Sequence, residues 1–329
     1  MTTPEPQPTS GTARRSLLLG AAAATLAAPA VRAQAPGLVV AGTNGWLFTV
    51  WDKANDWPLE NMRLANPLIS QAIGIMRGAG IQMSILLIPS KTVLYKQFLP
   101  PNVRFQADLD RRYGIAMEEF RRAGAIVPDI QATFRARQSA VQLWFKTDSH
   151  WTPMAAEIAA VEMAKAVGPT LPPSSRPGTQ VTTLINRQLP RGDLVRLLPQ
   201  GQRDAYGMEP YQVREIASSG SQNDLIADDT ADVALIGNSY VEPRYLFQPI
   251  LSNQLMRPVS LFWKPNNVGP WATILQYLSS DLFKQQRPKV IIWTHLELDL
   301  IAGPSSGGWS QNAMPPERFI SELRRGVGA

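Results

Sequence analysis

Three short, almost wholly apolar runs dominate the chain: Met83-Ser84-Ile85-Leu86-Leu87-Ile88, Val233-Ala234-Leu235-Ile236 and Val290-Ile291-Ile292-Trp293. The first stops at Pro89, the second at Gly237-Asn238, and the third follows Arg287-Pro288. A strand with one wet face alternates apolar and polar residues, so runs without alternation need cover on both faces. That points to parallel strands between two layers of helices. Apolar side chains at helical spacing supply those layers over about 60–79, 107–123, 154–167, 244–255 and 271–286. Gly78 and Gly80 end the first helix, and Thr152-Pro153 starts the third. Shorter strands are expected at Ala125–Val127 and Val259–Phe262. The predicted fold class is α/β, a three-layer α/β/α sandwich with a mostly parallel sheet.

A hairpin is expected to open the domain, with Gly37–Ala41 and Trp46–Val50 joined through Asn44-Gly45. Pro and Ser crowd residues 168–178, and the whole stretch from about 168 to 230 reads as an irregular insertion. No internal repeat or linker interrupts the pattern, so residues 36–329 are expected to form one domain.

Residues 1–35 have a different character. Arg14-Arg15-Ser16-Leu17-Leu18 leads into an Ala-rich stretch, and Val31-Arg32-Ala33 and Ala33-Gln34-Ala35 offer small residues for cleavage. This is the layout of a twin-arginine signal peptide, which predicts export to the periplasm and removal of about the first 35 residues. The apolar run is too short and Ala-rich to favour an anchor, and no later segment approaches about 18 uninterrupted apolar residues. The mature chain is therefore not expected to span a membrane. The signal carries three arginines against Glu5, so two of the six formal positive charges leave with it. What remains has no Lys/Arg run able to track a phosphate backbone, and nucleic acid is not an expected partner. With no cysteine and two histidines far apart in sequence, thiol chemistry and cysteine-based metal centres are excluded. No metal and no cofactor are expected.

Reactive groups of an open α/β sheet gather where strands end at its carboxyl edge. The run at 233–236 leads directly into Gly237-Asn238-Ser239-Tyr240, where a glycine two positions before a serine permits a sharp turn that exposes the hydroxyl. The same spacing suits a serine that merely caps a helix. Asp148-Ser149-His150 places a carboxylate and an imidazole on one side of an extended segment. Such a pair can activate a serine, or it can be a helix-entry cap with a solvent-facing histidine. His295, after the last strand and followed by Glu297 and Asp299, is the competing base, although a structural histidine at the sheet edge is the plainer reading. Position alone does not separate the two histidines.

Six segments together carry a family resemblance. They are Gly42-x-x-Gly45-Trp46-Leu47-Phe48, Pro89-Ser90-Lys91 followed by Tyr95 and Leu99-Pro100, Thr147-Asp148-Ser149-His150-Trp151, Arg191-Gly192-Asp193-Leu194, Gly237-Asn238-Ser239-Tyr240 and Arg287–Trp293. The chain resembles the AlgJ/AlgX alginate O-acetyltransferase family over about residues 37–300. The resemblance implies an SGNH-hydrolase-like fold in a circularly permuted arrangement, because Asp-x-His precedes Gly-x-Ser. It also implies that Ser239 is the nucleophile, His150 the general acid/base and Asp148 the group that orients it.

The function so implied is a periplasmic polysaccharide O-acetyltransferase working through an acetyl-serine in alginate-like exopolysaccharide biosynthesis. A membrane-bound O-acyltransferase partner would supply the acetyl group, and a polysaccharide would accept it. The alternatives are a secreted carbohydrate esterase with the same triad and a non-catalytic scaffold of a polysaccharide export complex. Tyr240, Trp151 and Trp46 are candidate walls of the site, since aromatic rings stack on sugars and exclude water. Lys91 and Arg244 are candidate partners for uronate carboxylates.

Overall fold

The computed structural model of this protein describes residues 37–52, 59–217 and 231–328. The expected signal at 1–35 and the end of the expected insertion, residues 218–230, lie outside the described residues.

The chain opens with the expected hairpin, β1 (Val39–Ala41) against β2 (Leu47–Thr49), with Asn44 and Gly45 both at positive φ in the turn. Helix α1 (Asn66–Gly78) follows a 3-10 turn and leads into β3 (Gln82–Ile88). After the short α2 (Lys91–Leu94) come α3 (Leu109–Ala123), α4 (Ile130–Arg137) and α5 (Pro153–Val167). The next stretch holds β4 (Val181–Leu189), α6 (Asp193–Leu197) and β5 (Glu209–Ile216). The rest alternates: β6 (Val233–Gly237), α7 (Phe247–Leu255), β7 (Val259–Trp263), α8 (Gly269–Ser279), α9 (Asp281–Gln286), β8 (Val290–Leu296) and α10 (Pro316–Val327).

The central sheet is parallel, in the order β3-β8-β6-β7. Its apolar runs divide residue by residue between two cores, as the two-residue period of a strand requires. Ile85, Leu87, Ala234, Ile236, Ile291 and Trp293 face the layer containing α1, α3, α8 and α10. Leu86, Ile88, Val233, Leu235, Val290 and Ile292 face the layer containing α5 and α7. The alanines of α5, at 155, 156, 159 and 160, are all buried on that side. This is the three-layer arrangement that unalternated runs demand.

Some elements depart from expectation. Ala125–Val127 forms no strand of its own, and only Ile126 bridges to Ser84. The helix expected over 271–286 breaks at Ser280, whose hydroxyl accepts the Phe283 N–H and caps a second helix. Within the expected insertion, β4 and β5 pair as a separate antiparallel ribbon. Most of β4 is solvent-exposed, so it lacked the apolar signature that marked the central strands.

Sheet order also fixes where a site can form. The connection from β6 to β7 runs through α7 on one face, and that from β7 to β8 crosses β6 through α8 on the other. The loops therefore diverge at the carboxyl end of β6, leaving a crevice at that switch point. Beside it lies a buried ionic cluster. Arg112 of α3 donates from Nε to Glu297 Oε1 at 2.7 Å and from an Nη to Asp52 Oδ1 at 3.2 Å. Glu297 also accepts the Ser90 N–H at 2.7 Å, and Asp52 accepts the Ser90 hydroxyl at 2.6 Å and the Thr92 N–H at 3.1 Å. Loops after β2, β3 and β8 are thereby tied to one guanidinium. Arg112→Met should lower unfolding stability by about 3–5 kcal/mol, because it leaves two buried carboxylates without their cation. Lys96→Ala, which breaks an exposed pair with Asp110, should cost less than about 1 kcal/mol. Urea midpoints of the two variants check the contrast.

Candidate active site

Strand β6 ends at Gly237 because the chain must pass close to β8. A Cβ there would lie 2.6 Å from Thr294 Oγ1 and 2.7 Å from a Val241 methyl. The chain then turns sharply, and the Asn238 side chain accepts the Tyr240 N–H at 3.1 Å to cap a 3-10 turn over Ser239–Val241. Ser239 is thus held at the mouth of the crevice. Facing it is a tight loop closed by a bridge between Trp144 and Trp151 and by the Thr152 N–H donating to the Leu143 carbonyl at 2.8 Å. Thr152 also caps α5, so Asp148, Ser149 and His150 stand at the loop tip just before a rigid helix. Two bonds stitch the loops together. The Trp151 indole N–H donates to the Tyr240 carbonyl at 2.8 Å, and the Tyr240 hydroxyl donates to the Ser149 carbonyl at 2.6 Å.

His150 Nε2 lies 2.8 Å from Ser239 Oγ, and its Nδ1 lies 2.7 Å from Asp148 Oδ1. With the proton on Nδ1, the ring donates to Asp148 and accepts from the Ser239 hydroxyl. Asp148 is itself saturated: Oδ1 also accepts the His150 N–H at 3.0 Å, and Oδ2 accepts the Asp193 N–H at 3.0 Å. Burial opposes a charge on His150, but the hydrogen bonds and charges of Asp148 and Asp193 outweigh it and raise the pKa to about 9. Burial likewise opposes the Asp148 anion, yet the His150 contacts hold it well below the usual carboxylate range. Both shifts favour the ion pair that forms when the imidazole takes a proton.

The cavity in front of Ser239 measures about 220 Å³ and is bordered by Phe48, Trp51, His150, Asp193, Tyr240 and Asn266, among others. Tyr240 lines it. The other candidate binding residues are placed differently. Trp151 is fully buried behind Tyr240, where it stacks on Phe247. Arg244 pairs with Glu242 and lies over the Tyr245 ring, away from the cavity wall. Trp46 is buried in a stack with Tyr95 and Phe98.

Lys91 borders the cavity, but its ammonium is turned into the protein, toward the carbonyls of Leu47 at 2.7 Å, Asp148 at 2.8 Å and Lys146 at 3.1 Å. Burial pulls its pKa down to about 7 against Asp148, Glu209, Asp193 and Asp52, yet only the ammonium form can donate three bonds. Its donors serve the loop that carries His150 and are not free to meet a substrate carboxylate.

His295 does not reach the cavity. It is buried in β8 beside Trp293 and Trp271, its Nε2 has no hydrogen-bond partner, and burial lowers its pKa to about 3. Asp193 and Asn266 were missed by sequence reasoning as site residues. Asp193 had a signal in Arg191-Gly192-Asp193-Leu194, whereas Asn266, in the loop after β7, had none. Asn266 accepts from the Asn238 amide at 3.0 Å.

Among the described residues, Asp148, His150 and Asp193 are the group whose potential ligand atoms could gather round a metal ion. Nδ1 of His150 is already engaged with Asp148, so a metal there would displace the proton that orients the ring toward Ser239.

A family model described as "SGNH hydrolase-like domain, acetyltransferase AlgX" matches residues 39–297. The probable alginate O-acetylase AlgJ of Pseudomonas syringae pv. tomato is 29% identical over 303 residues, covering 88% of this chain and 74% of the relative. Its counterpart in Pseudomonas putida is 29% identical over 273 residues, covering 78% and 69%. Among solved structures, the O-acetyltransferase domain of Pseudomonas putida AlgJ matches with a TM-score of 0.72 at 26% identity, covering 88% of this chain and 99% of that one. Pseudomonas aeruginosa AlgX matches at a TM-score of 0.59 and 20% identity, covering 82% and 68%, a likeness of fold alone.

The two histidines make opposite predictions. His150→Ala should lower turnover of a small acetyl ester by about three orders of magnitude or more, while His295→Leu should leave it within about threefold. A histidine kept neutral by burial loses stability as pH falls from its unfolded value of about 6.5 toward 3. Denaturation midpoints of His295→Leu should therefore fall less steeply over that range than those of the wild type.

Proposed function

Because the chain belongs to the SGNH hydrolase-like AlgX acetyltransferase family, we propose that this enzyme O-acetylates an exopolysaccharide, alginate or a similar acidic polymer, through an acetyl-serine at Ser239. The observation that carries this reading is the unbroken path Ser239 Oγ to His150 to Asp148, at 2.8 and 2.7 Å, beside a cavity at the carboxyl edge of the sheet. The alginate O-acetylases among its relatives supply the substrate class.

In the first half-reaction the Ser239 oxygen attacks the carbonyl carbon of an acetyl donor as its proton passes to His150 Nε2. The tetrahedral intermediate collapses, the bond to the leaving group breaks, and that group takes the proton from Nε2. In the second half a sugar hydroxyl gives its proton to Nε2 and attacks the acetyl-serine. The acetyl passes to the sugar, and Ser239 recovers its proton. Asp148 holds Nδ1–H throughout, keeping the lone pair of Nε2 aimed at Ser239 and stabilising the imidazolium. The Ser239 N–H, with the Asn266 side chain across the cavity, is the donor set we assign to the developing oxyanion.

Residues 1–35 are read as a twin-arginine signal, 36–329 as the mature domain and the periplasm as its location. No helix among the described residues is long and apolar enough to cross a membrane. Acetyl groups must then come from outside the cytoplasmic coenzyme A pool, and a membrane-bound O-acyltransferase is the partner class that could deliver them.

Mass spectrometry after exposure to an activated acetyl ester should find one acetyl group on Ser239, and none in Ser239→Ala. With an oligosaccharide acceptor the acetyl should move to sugar; its appearance solely as free acetate would make the protein an esterase. The acid limb of the rate should lie above pH 6.5, the usual histidine value, because only neutral His150 accepts the serine proton and its pKa is raised to about 9. The rate should climb with pH through that limb. Asp148→Asn should lower it by about three to four orders of magnitude.

A further inference from the structure

His150 has a second carboxylate beside it, on a different element from Asp148. Asp193 is the first residue of α6, and its Oδ2 lies 3.4 Å from His150 Nδ1. Its carboxylate also grips the residue between the two triad members of that loop: Oδ1 accepts the Ser149 N–H at 2.6 Å, and Oδ2 accepts the Ser149 hydroxyl at 2.5 Å. Its own N–H donates to Asp148 Oδ2 at 3.0 Å. The two aspartates thus form a reciprocal clasp around Ser149, and the proton-bearing nitrogen of His150 faces both.

The clasp is built into the fold. Gly192 passes so close to Thr147 that a Cβ would overlap its carbonyl group. Leu194, Val195 and Leu198 pack on Leu47 of β2, whose N–H donates to the Lys146 carbonyl at 2.9 Å. Helix α6 is therefore anchored to the strand that also braces the base of the His150 loop.

We propose that Asp193 is a positioning residue of this enzyme, holding the Asp148–His150 segment in its active shape and sharing the stabilisation of the imidazolium. The proposal rests on the reading of Ser239, His150 and Asp148 given above. In the resting site Nδ1–H belongs to Asp148 at 2.7 Å. When Nε2 receives the serine proton the whole ring becomes positive, and a second anion at 3.4 Å lowers the energy of that state without taking the Nδ1 proton. Asp193 is 39% exposed on its side chain, so solvent weakens its charge relative to that of Asp148. The other groups facing the ring are the Ser149 hydroxyl at 3.2 Å from Nδ1, the Ser239 hydroxyl, the rings of Tyr240 and Tyr245, the Arg244 guanidinium over Tyr245, and Lys91 behind the Asp148 carbonyl. Arg244 and Lys91 are cations and oppose the shift that the carboxylates produce.

The protein has two histidines, and His295 stays neutral until far below neutral pH, so ring NMR signals isolate the His150 titration. In untagged protein, Asp193→Asn is expected to move the His150 midpoint and the acid limb of acetyl-ester turnover down together, by about half a pH unit or more. Turnover above the limb should fall by about tenfold. Asp193→Glu, which keeps the charge, should return the midpoint toward that of the wild type. If the Asn variant does not fold, Asp193→Ser keeps a short polar side chain at the start of α6, removes the charge and gives the same comparison. A His150 midpoint and acid limb that coincide with the wild type in the charge-removing variant would overturn the proposal. If Ser239→Ala is inactive at the same time, the triad reading stands and only the role of Asp193 falls. If Ser239→Ala remains active, the triad reading itself fails.

Discussion

A buried ammonium group holds together the part of the molecule where the chemistry is expected. The Lys91 ammonium lies over the rings of Trp46 and Phe48 and donates its three N–H bonds to carbonyls from β2 and from the loop carrying Asp148. Loops cannot supply such order by hydrophobic contact alone, because their carbonyls need donors and water is excluded there. A lysine at the start of α2 reaches three of them at once. Arg112 does the equivalent for carboxylates, joining the loops after β2, β3 and β8. Taking each cation out of water is costly, and the return is geometric: segments far apart in sequence are fixed relative to one another beside Ser239.

This division between sheet and loops explains what the sequence disclosed. The central strands were legible because a strand buried on both faces needs an unalternated apolar run, and those at 82–88, 233–237 and 290–296 have one. The exposed strands at 181–189 and 209–216 are stabilised by their ladder and carry no such run. Residues 125–127 have strand composition but are too short to extend the sheet beyond one bridge. The helix at 316–327 begins at the second of two prolines, and Phe319, Leu323 and Val327 recur at helical spacing along its buried side.

Within the candidate site, local spacing exposed the pairs that a short segment can hold, namely Asp148 with His150 and Gly237 with Ser239. That they meet across the crevice follows from strand order, which no local pattern contains. Lys91 and Trp151 illustrate the converse. Composition marks a lysine and a tryptophan beside reactive motifs as substrate contacts, but both have hydrogen-bonding groups that the loops themselves require. Their polar atoms face inward, while Tyr240, Asn266 and Asp193 are among the residues that border the cavity.

The two histidines make the same point at the level of one functional group. Both are buried, and burial by itself disfavours a charged ring in each. His295 is buried beside Trp271 and Trp293, burial lowers its pKa to about 3, and it remains neutral core. His150 stands where the sheet gives way to loops, and loops can bring carboxylates to a ring without burying them unpaired. Asp148 is satisfied by two backbone N–H groups and Asp193 by Ser149, so each anion is already paid for before the proton arrives. In the proposed mechanism His150 becomes positive for an instant, and anions prepared in advance serve it, since reorganising them during the reaction would raise the barrier. The carboxyl edge of the sheet is where this fold can prepare them.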